Sequence, residues 1–101
     1  MSASFYEATE NLEEVAHLQS GDYSWCEVGV WSDGKQFFWA TDSGCSCSYF
    51  GENLTADDLK ILDSVQSAAF REAVDSGYDM SEQEKQEFTA KVRDAMSKVK
   101  R

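Results

Sequence analysis

Residues 25–47 read WCEVGVWSDGKQFFWATDSGCSC, and this stretch decides the fold. It holds all three tryptophans and all three cysteines of the chain. Asp33-Gly34 separates two runs of β-branched and aromatic residues, the strongest short-range sign of a two-residue hairpin. Both residues tolerate the positive φ that a type I′ turn demands. The implied register sets Val30 opposite Phe37, Val28 opposite Trp39 and Trp25 opposite Asp42. Side chains alternate across a strand, so two faces separate. One carries Cys26, Val28, Val30, Phe37, Trp39 and Thr41, is apolar almost throughout, and belongs to the core. The other mixes Trp25, Trp31 and Phe38 with Glu27, Gln36 and Asp42, as a half-wet surface does. On that face the ring of Phe38 is placed to cover the gap left by Gly29.

Working outward, the segment before the hairpin has two readings. Phe5, Ala8, Leu12 and Val15 recur at helical spacing. A lone hairpin is marginal, however, and a third strand over 12–18 supports it far better, so strand is preferred. Residues 1–11 are polar apart from Phe5 and Tyr6 and are expected to be loosely ordered. Beyond the hairpin, Thr55 with Asp58 makes a capping-box pair, and Leu54 with Leu59 a hydrophobic staple. Leu59, Leu62, Val65, Ala69, Phe70 and Ala73 then trace one apolar face, predicting a helix over 56–76 with Gly77 as its stop. Ser81 and Glu84 open a second helix over 82–99. Its stripe of Phe88, Val92, Ala95, Met96 and Val99 is thin, so packing on the domain competes with pairing to a second copy as a homodimer. The expected fold is α+β: a three-stranded antiparallel meander over about 12–18, 23–32 and 35–42, followed by two C-terminal helices.

At 101 residues the chain is the size of one domain. A hydrophobic content of 42% with 13% aromatics excludes wholesale disorder. No apolar run approaches membrane-spanning length. MSASFYEATEN lacks a basic region followed by an apolar block, so a cytosolic protein with reduced thiols is expected. The formal charge is −10, with 15 acids and 3 bases in residues 1–79 against 4 acids and 6 bases in 80–101. That balance opposes direct binding of nucleic acid or an anionic membrane and favours docking to a basic surface.

Side chains capable of chemistry are sparse. Cys45 and Cys47 form C-x-C and, with Cys26 and His17, could make up a zinc set. The paired C-x-x-C knuckles of structural zinc sites are missing, so a small buried Cys26 and a packed C-x-C loop are the simpler reading. Asp42 would raise a neighbouring thiol pKa, which works against redox chemistry. No third group completes a Cys–His nucleophile pair. The carboxylate pairs at Asp57-Asp58 and at Glu82 with Glu84 are explained by helix starts. A non-enzymatic protein without a cofactor is expected.

From Trp31 to Cys47 the pattern W-x-D-G-(x)4-W-A-T-D-S-G-C-S-C resembles a group of small uncharacterised proteins of bacteriophages that infect actinobacteria. The resemblance extends over residues 12–51 and departs after Cys47, where Ser48 stands in place of the proline common in that group. It implies a phage accessory protein acting in the host cytoplasm, and it supports strand over helix for 12–18. It implies no activity, cofactor or catalytic residue.

The leading expectation is therefore a binding module for a host or defence protein with a basic surface. Trp25, Trp31 and Phe38 are the expected hot-spot residues, with Glu27 and Asp42 steering the encounter. A small zinc or thiol domain using Cys26, Cys45 and Cys47 is the alternative. An acidic nucleic-acid mimic that inhibits a DNA-handling protein is a third.

Overall fold

The hairpin forms, with a longer connection than two residues. A computed structural model of the chain describes residues 4–21, 24–45, 50–52, 54–75 and 81–99. In chain order the elements are α1 (Phe5–Thr9), β1 (Glu13–Ser20), β2 (Ser24–Ser32), β3 (Phe37–Cys45), a single 3-10 turn (Ala56–Asp58), β4 (Lys60–Ile61), α2 (Ala68–Asp75) and α3 (Glu82–Lys98). The four strands form one antiparallel sheet in the order β1-β2-β3-β4.

β2 pairs with β3 so that Val30 faces Trp39, Val28 faces Thr41 and Trp25 faces Gly44. The expected register is thus displaced by two residues, because the loop is Asp33–Gln36 and not Asp33-Gly34 alone. Side-chain chemistry accounts for the difference. The Asp33 carboxylate accepts the backbone N–H groups of Lys35 and Gln36 at 2.9 and 2.8 Å. The Ser32 hydroxyl accepts from the Gly34 N–H and donates to the Gln36 carbonyl, each at 3.0 Å. Among the described residues only glycines take positive φ, Gly34 at 99°, so Asp33 never enters the conformation a type I′ turn needs. A slip of two preserves which side chains share a face. The separation into two faces therefore survives the correction.

β1 confirms the third strand. Between Glu14 and Ala16 it carries a bulge. The extra residue lets both Val15 and Ala16 pack toward the helices, and it marks an outer strand that is hard to extend.

The predicted helix over 56–76 is broken. Thr55 and Asp58 do form a capping box, but it starts one 3-10 turn only. Leu59 is already extended, and Lys60–Ile61 pairs with Trp39 and Phe38. The Leu62 N–H then donates to the Phe37 carbonyl at 2.7 Å. Satisfying the open edge of β3 outweighs the local helical preference of these residues. Helix resumes only at Ala68, and the Gly77 stop lies outside the described residues. α3 follows its expected course, with Ser81 and Glu84 closing a reciprocal capping box.

Both faces of the sheet are covered. On one side Val28, Val30, Phe37 and Trp39 pack against Leu62, Val65 and the inner faces of α2 and α3. Phe70 links this layer together, meeting Trp39 edge-on at 5.6 Å and stacking with Phe88 at 6.0 Å. On the other side Phe5, Trp31 and Ala40 form a second cluster with Leu12, Phe50, Leu54 and Leu59 around them. The N-terminal stretch is thus not loose as far as it is described. Ser4 and Glu7 make a capping box that starts α1, and Phe5 is only 2% exposed.

Candidate functional site

The face of the hairpin expected to bind a partner is largely interior. Trp25 and Trp31 are 5% and 6% exposed, so neither ring is available as a surface hot spot. Trp31 lies between Phe5 at 5.3 Å and Phe50 at 6.0 Å, and its ring, not that of Phe38, covers Gly29. Trp25 turns its indole N–H to the Cys45 carbonyl at 2.7 Å. Phe38 is half-buried, paired between Trp31 and Ile61. Asp42 is committed to the backbone, accepting the N–H groups of Ser43 at 2.8 Å and Gly51 at 3.0 Å. These contacts give four of the five expected partner-binding residues a structural task.

Glu27, the fifth, belongs to a polar cluster at the rim of this layer. His17 and Glu14 on β1 and Glu27 on β2 project from the same face. His17 Nδ1 lies 3.3 Å from a Glu14 carboxylate oxygen, and Nε2 is in contact with Glu27. The imidazole also meets the edges of Phe50 at 4.9 Å and Trp31 at 6.2 Å. A neutral ring can donate to one carboxylate only, whereas the imidazolium serves both. The cluster holds the imidazole against Phe50 and Trp31.

His17 does not stand with the described thiols of the expected zinc set. His17 projects from the α1 face, while Cys26 and Cys45 belong to the alternation that faces the helices. The sheet separates the imidazole from these two thiols, and Cys47 lies outside the described residues. Among the described residues no group of three or more His, Cys, Asp or Glu is arranged to hold a metal ion.

The layered fold also relocates the charge. Residues 1–59, which make α1, the three long strands and the 3-10 turn, contain 11 acids and 1 base. Residues 60–101, which make β4 and the helical layer, contain 8 of each. The whole formal charge of −10 therefore belongs to the first portion. Glu7, Glu10, Glu13, Glu14, Glu52 and Asp57 are all exposed there. Tyr6, an aromatic residue on α1 that is 52% exposed, stands beside Glu7 and fixes its hydroxyl to the Phe50 carbonyl at 2.6 Å. Sequence reading passes over α1, although Ser4-x-x-Glu7 is the same signature that marks the start of α3.

A small α+β domain with an antiparallel sheet covered on both faces is the class that this architecture defines. The chain belongs to the family described as a domain of unknown function, DUF7574, whose model matches residues 4–101. Neither a curated protein nor a solved structure is similar enough to count as a match. No helix among the described residues is long and apolar enough to cross a membrane.

Proposed function

We propose that the protein is a non-enzymatic binding module whose acidic N-terminal layer docks on a basic surface of a partner protein. The resemblance of Trp31–Cys47 to actinobacteriophage proteins makes that partner a host or defence protein met in the host cytoplasm. The observation that carries this reading is the confinement of the net charge to residues 1–59, with exposed carboxylates at Glu7, Glu10 and Glu14 and an exposed Tyr6. A surplus of one sign speeds encounter with a complementary surface, and an exposed tyrosine gives it an anchoring ring.

The docking residues in this proposal are Tyr6, Glu10 and Glu14, with Glu27 at the margin. Trp25 and Trp31 support the layer from beneath. The test is affinity capture from host lysate with the wild-type chain and with a Glu10→Lys/Glu14→Lys variant, read by mass spectrometry. Capture of a basic protein that weakens with salt and is lost in the variant supports the reading. Undiminished capture by the variant overturns it. Competition by duplex DNA for the same partner would turn the reading toward nucleic-acid mimicry.

A further inference from the structure

The helical layer contains a cleft on the far side of the sheet from the acidic face. It runs between α2 and α3, with a volume of about 650 Å³. Small-molecule sites typically measure about 300–1,000 Å³. Val65, Phe70, Val74 and Ala90 supply its apolar part. Its polar part is unusual for so acidic a protein: Arg71, Lys85 and Arg93 all line it, three of the nine lysines and arginines in the chain.

Their placement follows from the helices. Lys85, Thr89 and Arg93 are spaced four residues apart and share one face of α3 over roughly 12 Å. Arg71 comes from α2 across the cleft. Lys85 donates to the Asp75 carbonyl at 3.2 Å, which ties the end of α2 to the start of α3. Asp75 and Glu82 also line the cleft, as the last residue of α2 and the first of α3, so acid is present where the two helices meet. Arg71 and Arg93 lie one turn and three turns away from that junction along their helices. Among the described residues neither guanidinium has a hydrogen bond or an ion pair. Gln66, Gln86 and Thr89 add neutral hydrogen-bonding groups around them.

We infer that this cleft binds a small organic anion carrying two phosphate or carboxylate groups, one held by Arg71 and the other further along the groove by Arg93, with its apolar part against Val74 and Ala90. Guanidinium groups present paired N–H donors that match the oxygens of either anion. The acidic surplus of residues 1–59 does not forbid this. Salt screens exposed charges over about 8 Å at physiological ionic strength, and the sheet stands between that layer and the cleft. The site is independent of the docking surface proposed above.

Calorimetric titration of the full chain at low salt with pyrophosphate and, separately, with succinate tests the inference. Saturable binding of either probe is expected, and the probe that binds identifies the phosphate or the carboxylate class. Arg71→Gln and Arg93→Gln should each weaken it by about tenfold or more, the loss expected for a charge-assisted hydrogen bond. Lys91→Gln removes a charge from the same helix outside the lining and should leave affinity within about twofold. Circular dichroism of each variant verifies that the fold is retained. No saturable binding of either probe below about 10 mM, or an equal loss in Lys91→Gln, overturns the assignment.

Discussion

Replacing Gly29 with alanine should destabilise the protein even though the backbone there is ordinary extended strand. A methyl group at this position would lie 2.5 Å from Cη2 of Trp31 and 3.0 Å from Cζ2 and Cζ3. Comfortable carbon–carbon contact needs about 3.5–4.0 Å, so the indole must withdraw by roughly 1 Å. It has little room, because Phe5, Phe50 and His17 surround the ring at 5.3, 6.0 and 6.2 Å. Overpacking of this kind costs about 1–3 kcal/mol. The reduced freedom of alanine in the unfolded chain returns about 0.4–1 kcal/mol. A net loss of about 1–2 kcal/mol is expected, lowering the melting temperature by roughly 5–15 °C. Trp31→Phe removes the far ring atoms that the methyl group meets. The double variant should therefore be more stable than the sum of the two single effects by over about 0.5 kcal/mol. Urea titration followed by far-ultraviolet circular dichroism measures all four proteins without relying on tryptophan emission. A neutral or stabilising Gly29→Ala, or strict additivity in the cycle, would refute the idea that Trp31 lies pinned over this glycine.

Phe5→Ala should cost about 3–5 kcal/mol, the usual loss for a buried phenyl ring, and tryptophan emission should shift to the red as water reaches Trp31. Ser81→Ala removes the cap that accepts the Glu84 N–H at 3.1 Å and should cost about 1 kcal/mol in thermal unfolding. The N–H groups of Gln36 and Lys35 hold the Asp33 carboxyl below its ordinary pKa, and the Ser4 backbone N–H, with the Ser4 hydroxyl, does the same for Glu7. Both pKa values are depressed on folding, so their stabilising effect is present above the unfolded-state values and is lost as pH falls through the folded ones. Carbon-13 titration of the side-chain carboxyls should place both midpoints below those of a peptide reference, and Gln36→Pro, which deletes one donor, should raise that of Asp33.

The hairpin was readable because alternation and the Asp33-Gly34 break are local signals. Its face assignment even survived a register displaced by two. The length of the loop was not readable, since it depends on Ser32 and Asp33 choosing backbone partners as far as Gln36. Residues 59–67 misled for a different reason. Leu62 and Val65 are buried as the helical stripe implied, yet they reach the core from β4 and an irregular turn. The demand that straightened this segment comes from Phe37–Trp39, over twenty residues earlier in the chain, which no helical period can report. The aromatic surface failed most instructively. Trp25, Trp31 and Ala40 on one side and Val28, Val30 and Trp39 on the other are apolar enough to need cover twice, and Ser4-x-x-Glu7 announces the helix that supplies part of it. The arginines of the cleft were hidden for the opposite reason, because Arg71 and Arg93 are distant in sequence and line one groove only from two different helices.

The tie between α1 and the middle of the chain has a consequence for biosynthesis. Ser4 bridges Thr55, and Tyr6 reaches Phe50, 44 residues further on. A five-residue helix cannot persist alone in water. At translation speeds of about 5–20 residues per second, α1 waits roughly 2–9 s after its own synthesis for its seat to be made. In the later part of that interval the indole of Trp31 is on a nascent hairpin that Phe50 has not yet reached, and a chaperone that shields aromatic rings would find its opening there.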